Sequence, residues 1–406
     1  MNKPFYISSK PVGSICNLDC KYCYYLEKTN LYPQDEKHFM TIDLLESYVE
    51  SYIKASSTEE VIFTWHGGEP LLQKIEFYQK AVEFQQKYGA IYRRRISNSL
   101  QTNGTIMNDE WASFFAQHHF LIGISLDGPG ILHDHYRTTK NGKPTFNEVM
   151  TGLHFLKKHK VDYNILATVN SFNVKRPLEV YEFFKAIDAR YIQFTPIVER
   201  KIHNTNPKND IQLASPSISN NEATVTEWSV DALEYGEFLI AIFDEWVKED
   251  VGEFFVTNFD AMLANWYGAE PPTCVFAKKC GHAVAMEYNG DVYSCDHYVF
   301  SDYKLGNIKN STLETLLNLP EQIQFGNDKK DKLPRQCKEC DFLFACNGEC
   351  PKNRFMKTED GEDHLNYLCS GFQKFYHHID EDMKFMVGEL RANRAPSNII
   401  KQKQLI

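Results

Sequence analysis

Cys16-Asn17-Leu18-Asp19-Cys20-Lys21-Tyr22-Cys23, followed by Tyr24 and Tyr25, comes directly after a β-rich run at Phe5–Val12. Thiolates are soft ligands that suit iron–sulfur clusters, zinc or copper(I). A structural zinc site takes four ligands, and no fourth cysteine or evident histidine lies close by in sequence. A four-iron cluster held by three thiolates would keep one iron open to a small molecule, an arrangement suited to chemistry rather than scaffolding. A zinc site completed by a distant ligand is one alternative. A loop of three spare thiols is the other, and three cysteines in eight residues weigh against it.

From residue 5 to about 198 the sequence alternates apolar β-rich runs with amphipathic segments. Strands are expected at Phe5–Val12, Val61–Trp65, Arg95–Leu100, Phe120–Leu126, Tyr163–Val169 and Tyr191–Thr195. Helical periodicity fills the gaps at 41–54, 71–88, 108–118, 145–159 and 176–187. In the fourth helix Phe146, Val149, Met150, Leu153 and Leu156 share a face, and Thr145 with Glu148 resembles a capping box. Six strands separated by helices predict parallel β/α units with right-handed crossovers. The period alone leaves an incomplete barrel and an open doubly wound sheet equally available.

The 406 residues allow two or more domains, and 43% hydrophobic content is enough to bury a core. A net charge of −10 argues against a general nucleic-acid binder. No apolar run is long enough to span a membrane, and Met1–Lys10 lacks a signal-peptide layout. The chain therefore reads as cytoplasmic. In reducing cytosol its eleven cysteines point to metal or chemistry rather than disulfides. Three lie at 16–23 and eight at 274–369, which predicts two separate metal-bearing regions.

Four domains or segments are expected: 1–199 for the β/α units, 200–270 for a polar linker and connecting helices, 271–370 for a cysteine-rich domain, and 371–406 for a final helix and polar tail. Residues 200–228 read as a long loop. A helix near Val230–Lys248 would bury Leu233, Phe238, Ile242 and Trp246, and another is expected at Phe372–Arg391. The cysteine-rich segment has weak periodicity, so metal ligation would organise it. It reads Cys274-x5-Cys280-x14-Cys295, Cys337-x2-Cys340-x5-Cys346-x3-Cys350, and Cys369. Eight thiolates fill two closed sites of four, of zinc or of iron and sulfide.

The first spacing resembles that of the radical S-adenosylmethionine superfamily. That resemblance implies an incomplete (β/α)6 barrel and an open iron that chelates the methionine moiety of S-adenosylmethionine. Gly68 in Gly67-Gly68-Glu69-Pro70, at the end of the second strand, would meet the methionine amino group. Ser125 in Ser125-Leu126-Asp127-Gly128-Pro129, together with Arg137, would also contact the cofactor, and Tyr22 and Val198 would line the adenosine region. The second group, with Gly290 before Cys295, resembles the SPASM domain. By that resemblance Cys274, Cys280, Cys295 and Cys350 would hold one auxiliary cluster, and Cys337, Cys340, Cys346 and Cys369 the other. The whole would carry three [4Fe-4S] clusters.

Across nearly its full length the chain resembles anaerobic sulfatase-maturating enzymes. The likeness runs through Tyr24 and Tyr25, Trp65-His66-Gly67-Gly68-Glu69-Pro70, Ser99-Leu100-Gln101-Thr102-Asn103-Gly104, Cys295-Asp296 with Tyr298, and Leu305-Gly306-Asn307-Ile308. His66 stands where some members have Gln. The resemblance implies oxidation of a Cys or Ser in a Cys/Ser-x-Pro/Ala-x-Arg motif to formylglycine. The adenosyl radical would take a hydrogen from Cβ, Asp296 would accept the thiol or hydroxyl proton, and an auxiliary cluster would take the electron. The expected partners are an unfolded or nascent sulfatase peptide and a low-potential electron donor. The nearest alternative is another SPASM enzyme forming thioether or carbon–carbon crosslinks. A zinc-binding adaptor is the alternative of another class.

Overall fold

The structure is a computed structural model describing residues 4–33, 38–202, 212–218 and 222–404. Among these the strands are, in chain order, β1 (Tyr6–Lys10), β2 (Glu60–Trp65), β3 (Arg95–Thr102), β4 (Leu121–Ser125), β5 (Tyr163–Val169), β6 (Tyr191–Pro196), β7 (Arg200–Ile202), β8 (Ala223–Val225), β9 (Phe255–Val256), β10 (Ala283–Glu287), β11 (Asp291–Tyr293) and β12 (Lys304–Asn307). Each of the six expected strands is present within two residues of its predicted ends. The chain divides into two compact units. The first comprises Met1–Ser125, Tyr136–Tyr163 and Cys280–Asn327, and the second Leu126–His135, Asn164–Lys279 and Asp328–Ile406.

In the first unit the strand order is β12-β11-β10-β1-β2-β3-β4. Strands β1 to β4 run parallel, and helices Ile42–Ala55, Ile75–Tyr92, Asp109–Gln117 and Phe146–Lys158 follow them in turn. Thr41 starts the first helix by accepting the Leu44 N–H on its hydroxyl. That helix turns Tyr48 and Tyr52 onto Phe63 and Trp65 of β2, with ring centroids 5.0–6.0 Å apart. The Trp65 indole N–H donates to Asn98 Oδ1 of β3 at 2.8 Å, so the one polar atom of that buried ring is satisfied.

Strand β10 pairs in parallel with β1, setting Tyr6 opposite Ala283 and Lys10 opposite Glu287. No strand is expected here from the sequence, whose weak periodicity points to organisation by metal ligation. Residues Val284–Glu287 of β10 are all buried, so they show no alternation from which a strand could be read. The β10–β11 turn then leads to Cys295 and Asp296.

The second unit contains β5, β6 and β9 in parallel order and the β7–β8 hairpin. Its helices Ala232–Glu245 and Cys369–Arg391 approach closely through Gly236 and Gly371. A Cβ on Gly371 would lie 1.8 Å from the Ala232 carbonyl oxygen.

Four expectations need correction. Leu233 is 50% exposed, and the buried face of its helix instead carries Tyr235, Phe238, Leu239, Ile242 and Phe243. Thr145 makes no capping bond; its hydroxyl donates to the Arg137 carbonyl at 2.7 Å, a tertiary tie in place of a local one. The polar tail forms a short helix, Asn398–Lys403, anchored by fully buried Ile399. The expected loop at 200–228 contains β7 and β8, while its residues 203–211 and 219–221 lie outside the described residues.

Candidate active site

The Cys16–Cys23 loop lies just beyond β1 and is tied on two sides. Lys21 N–H donates to the Tyr136 carbonyl at 3.1 Å, and Asp19 N–H to that of Thr138 at 2.9 Å. On the other side Gly68 N–H donates to Gly13 O and Glu69 N–H to Ile15 O, each at 2.8 Å. Gly68 is pressed against this segment: a Cβ there would lie 2.0 Å from the Ile15 carbonyl oxygen. Fully buried Glu69 fastens the same loop to β3. Its carboxylate accepts from Thr102 Oγ1 at 2.7 Å, Asn103 N at 2.8 Å and Leu71 N at 2.9 Å. Burial raises its pKa to about 7 against those hydrogen bonds.

Cys16 Sγ accepts from Leu18 N at 3.4 Å and from Asn103 Nδ2 at 3.7 Å. Asn103 also donates to Asn17 Oδ1 at 2.9 Å. Neither Asn17 nor Asn103 is expected at the site from the sequence; the end of β3 brings Asn103 to the Cys16 loop. Burial, and then Glu69, push the Cys16 thiol up to about 12, so this pocket favours its ionised form only with a cation bound.

The residues expected at the cofactor divide by unit. Tyr22, Gly68, Ser125 and Arg137 belong to the first. The Arg137 guanidinium lies 5.4 Å from the Tyr22 ring centroid, and the Tyr22 ring meets Tyr136 edge-on at 5.8 Å. Ser125 Oγ accepts from Gln101 Nε2 at 3.0 Å, and Gln101 occupies the space a side chain at Gly123 would need. Val198 belongs to the second unit, where its carbonyl accepts from Lys352 Nζ at 2.5 Å. Asp127, also in that unit, is fully buried and accepts from Thr168 N at 2.9 Å.

Asp296 sits in a charged cluster of the first unit. Tyr24 Oη donates to its Oδ2 at 2.6 Å, and the ammonium of fully buried Lys10 pairs with its Oδ1. That ammonium also lies 4.6 Å from the Tyr25 ring centroid. Burial would raise the Asp296 carboxyl, but Lys10, His66 and His297 outweigh it and hold it well below the usual carboxylate range. Burial and Lys10 together lower His66 to about 4, so His66 is neutral near pH 7. Tyr25 donates to Glu287, whose carboxyl burial pushes up to about 7. Lys10 and Glu287 gave no signal in the sequence.

No disulfide joins any of the eleven cysteines. In the first unit Gln322 Nε2 donates to Gly281 O at 2.9 Å and to Ser294 O at 3.3 Å, bringing together the turns that carry Cys280 and Cys295. In the second unit Asn347 Nδ2 donates to Phe276 O at 2.8 Å, joining the Cys274 turn to the Cys346–Cys350 loop. Cys337, Cys340, Cys346 and Cys369 line one cavity with Phe342 and Tyr376. Burial pushes the thiols of Cys346 and Cys369 up to about 12, and neighbouring thiols add to it. Four such thiols converging on one apolar cavity are a donor set for a cationic iron–sulfur core.

A parallel β/α fold with an open three-thiol loop and a closed four-thiol cavity defines a radical enzyme with auxiliary clusters. Residues 11–184 match the Radical SAM superfamily, and residues 274–341 match the SPASM iron–sulfur cluster-binding domain. The chain is 52% identical over 399 residues to the serine-type anaerobic sulfatase-maturating enzyme of Bacteroides thetaiotaomicron, covering 98% of this chain and 95% of that protein. It is 34% identical to the cysteine-type enzyme of Clostridium novyi, over 90% and 93% of the two chains. A solved structure, native anSMEcpe with bound AdoMet and Cp18Cys peptide, superposes with a TM-score of 0.82 at 29% identity, covering 96% of this chain and all of that one. The chain belongs to the anaerobic sulfatase-maturating enzymes, a radical S-adenosylmethionine family with [4Fe-4S] clusters. Among the described residues no helix is long and apolar enough to cross a membrane.

Proposed function

We infer that this protein oxidises a serine or cysteine in a Cys/Ser-x-Pro/Ala-x-Arg motif of a sulfatase peptide to formylglycine, with Asp296 as proton acceptor. The observation that carries the assignment of Asp296 is its hydrogen bond with Tyr24 at 2.6 Å. Tyr24 is covalently next to Cys23 and Asp296 next to Cys295. This bond joins the residue after Cys23, an expected ligand of the open site, to the residue after Cys295, an expected ligand of an auxiliary site. When bound, S-adenosylmethionine and the clusters supply a hydrogen-abstracting radical and an electron acceptor.

The chain's own residues do the rest. Cys16, Cys20 and Cys23 would hold the open cluster. Gly68, Ser125, Arg137, Tyr22 and Val198 are the residues that would receive the cofactor, the Arg137 fork being suited to its carboxylate. Lys10 keeps Asp296 ionised, and Tyr24 orients it through the 2.6 Å bond, leaving the second oxygen with Lys10. A proton leaving the substrate heteroatom is taken at that carboxylate as the electron departs. Cys274, Cys280, Cys295 and Cys350 would hold one auxiliary cluster, and Cys337, Cys340, Cys346 and Cys369 the other. A low-potential electron donor would supply the reducing equivalent.

The test is anaerobic reconstitution with reductant, S-adenosylmethionine and a peptide bearing the motif, followed by quantifying 5′-deoxyadenosine and aldehyde. Both should form together. Cofactor cleavage without aldehyde would instead favour a crosslinking enzyme. Asp296→Asn should keep its iron and cleave cofactor while aldehyde formation falls by at least ~10²-fold, the usual contribution of a positioned base.

A further inference from the structure

In the second unit a fully buried ammonium is aimed at the backbone of a cysteine turn. Lys329 is 0% exposed, and its Nζ donates to the carbonyls of Cys274 and Val275 at 2.6 and 2.7 Å. Its own carbonyl accepts from Arg354 Nη1 at 2.5 Å. Arg354, also buried, spends its remaining donors on the loop between Cys346 and Cys350: Nε on Gly348 O at 2.7 Å and Nη2 on Asn347 O and Glu349 O at 2.8 and 3.1 Å. Two cations therefore staple the turn of Cys274 to the loop of Cys350 through backbone oxygens.

Carbonyl dipoles solvate an ammonium but do not neutralise it, and a buried charge without a counter-charge is expensive. Glu349 is the carboxylate that feels Lys329, and its burial and three hydrogen bonds from Asn366, Asn353 and the Cys350 backbone tie it elsewhere. The compensating charge at this place would be that of the thiolates and of a cluster bound to them. A four-thiolate cluster is anionic and gains another negative charge on reduction, so an adjacent fixed cation favours the reduced state.

We propose that Lys329 tunes the auxiliary cluster ligated by Cys274, raising its reduction potential so that it accepts the substrate's electron, with Arg354 holding Lys329 in register. The proposal rests on the ligand assignment given under Proposed function. Lys329 acts through the backbone of the Cys274 turn and is a positioning and charge-setting residue.

The test uses full-length, anaerobically reconstituted enzyme. Cys274→Ala comes first: it should lose one cluster's worth of iron, and full iron retention would overturn the ligand assignment itself. Lys329→Gln keeps a hydrogen-bond donor and removes the charge. If it retains all its iron, EPR-monitored redox titration should show the auxiliary signal about tenfold harder to reduce at a fixed potential, which is ~59 mV lower for a one-electron couple. Full iron with an unchanged potential overturns the proposal. If Lys329→Gln instead loses one cluster, Lys329→Arg decides. A fully loaded Arg variant with wild-type potential supports the need for charge, and loss of the cluster in both variants overturns it in favour of side-chain shape.

Discussion

Gly68→Ala isolates what the Gly-Gly-Glu-Pro turn does. The added methyl would lie 2.0 Å from the Ile15 carbonyl oxygen, 2.4 Å from its carbon and 2.7 Å from the Ser14 carbonyl carbon. Ordinary contact begins at 3.4 Å, so the two backbone segments must part by 3.4 − 2.0, or 1.4 Å. No rotamer relieves a clash with backbone. Parting also stretches the bonds from Gly68 N to Gly13 O and from Glu69 N to Ile15 O, now 2.8 Å each, beyond useful range. Overpacking costs about 1–3 kcal/mol, and each lost backbone bond about 1 kcal/mol. A loss of about 4 kcal/mol follows, which for a chain of this size is a fall of about 5 °C in apparent Tm.

The displaced segment leads straight into Cys16, whose sulfur is held by Leu18 N and Asn103 Nδ2. The variant should therefore lose the open cluster and keep the auxiliary ones. The assays are apparent Tm of the apo-protein, iron and sulfide content, and S-adenosylmethionine binding by calorimetry. An unchanged Tm with full iron but no cofactor binding would show that Gly68 serves only the ligand, and the backbone-clash reasoning would be wrong.

Lys10→Met strips the Asp296 carboxylate of its partner; with Asp296 26% exposed, the loss should be about 2–3 kcal/mol, at the low end for breaking a buried pair. The Lys10→Met/Asp296→Asn double variant should recover part of that stability, and strict additivity in the cycle would rule out the coupling. In the helix Cys369–Arg391, Gly371→Ala drives a methyl to 1.8 Å from the Ala232 carbonyl oxygen and should unseat Cys369 and its cluster. Gly388→Ala in the same helix meets nothing within 4 Å and should stabilise by about 0.5–1 kcal/mol, so iron loss in both or neither would contradict the packing argument. Glu69 has its folded pKa raised to about 7 from 4.5, so the native state holds its proton more tightly. Its stabilising contribution is present below pH 4.5 and is lost as pH rises through 7, by up to ~3 kcal/mol. The apparent Tm of wild type minus that of Glu69→Gln should shrink over that window; a flat difference would mean that Glu69 is ionised throughout.

Where the sequence was legible, the signal was local. Strands β1 to β6 and their helices could be read because each element carries its own period, as in Val149, Leu153 and Leu156 facing one way along Phe146–Lys158. The β10 strand could not. Its residues are buried on both faces by neighbours distant in the chain, and a short apolar run without alternation looks the same in a strand, turn or helix. Leu233 was misassigned for a related reason: it lies in the first turn, where the apolar face is not yet defined by tertiary contact. Thr145 had the right residue type for a cap but found a better acceptor in the Arg137 carbonyl.

The same distinction orders the active site. Cysteine spacing is visible because ligands to one cluster must often come from one loop, and short loops fix short gaps. The groups that set the charge around those ligands obey no such rule. Lys10 reaches Asp296 across 286 positions because β10 pairs with β1, and Lys329 reaches the Cys274 carbonyl across 55. In each case a lysine that sequence alone would assign to the surface is fully buried. Burying an ammonium is costly without an anion beside it: Lys10 has the Asp296 carboxylate, and Lys329 would have the cluster proposed at Cys274. Chemistry in this molecule is thus written twice, as cysteines in the local sequence and as counter-charges in the tertiary pairing. Loss of a counter-charge should change stability and potential before it changes metal content.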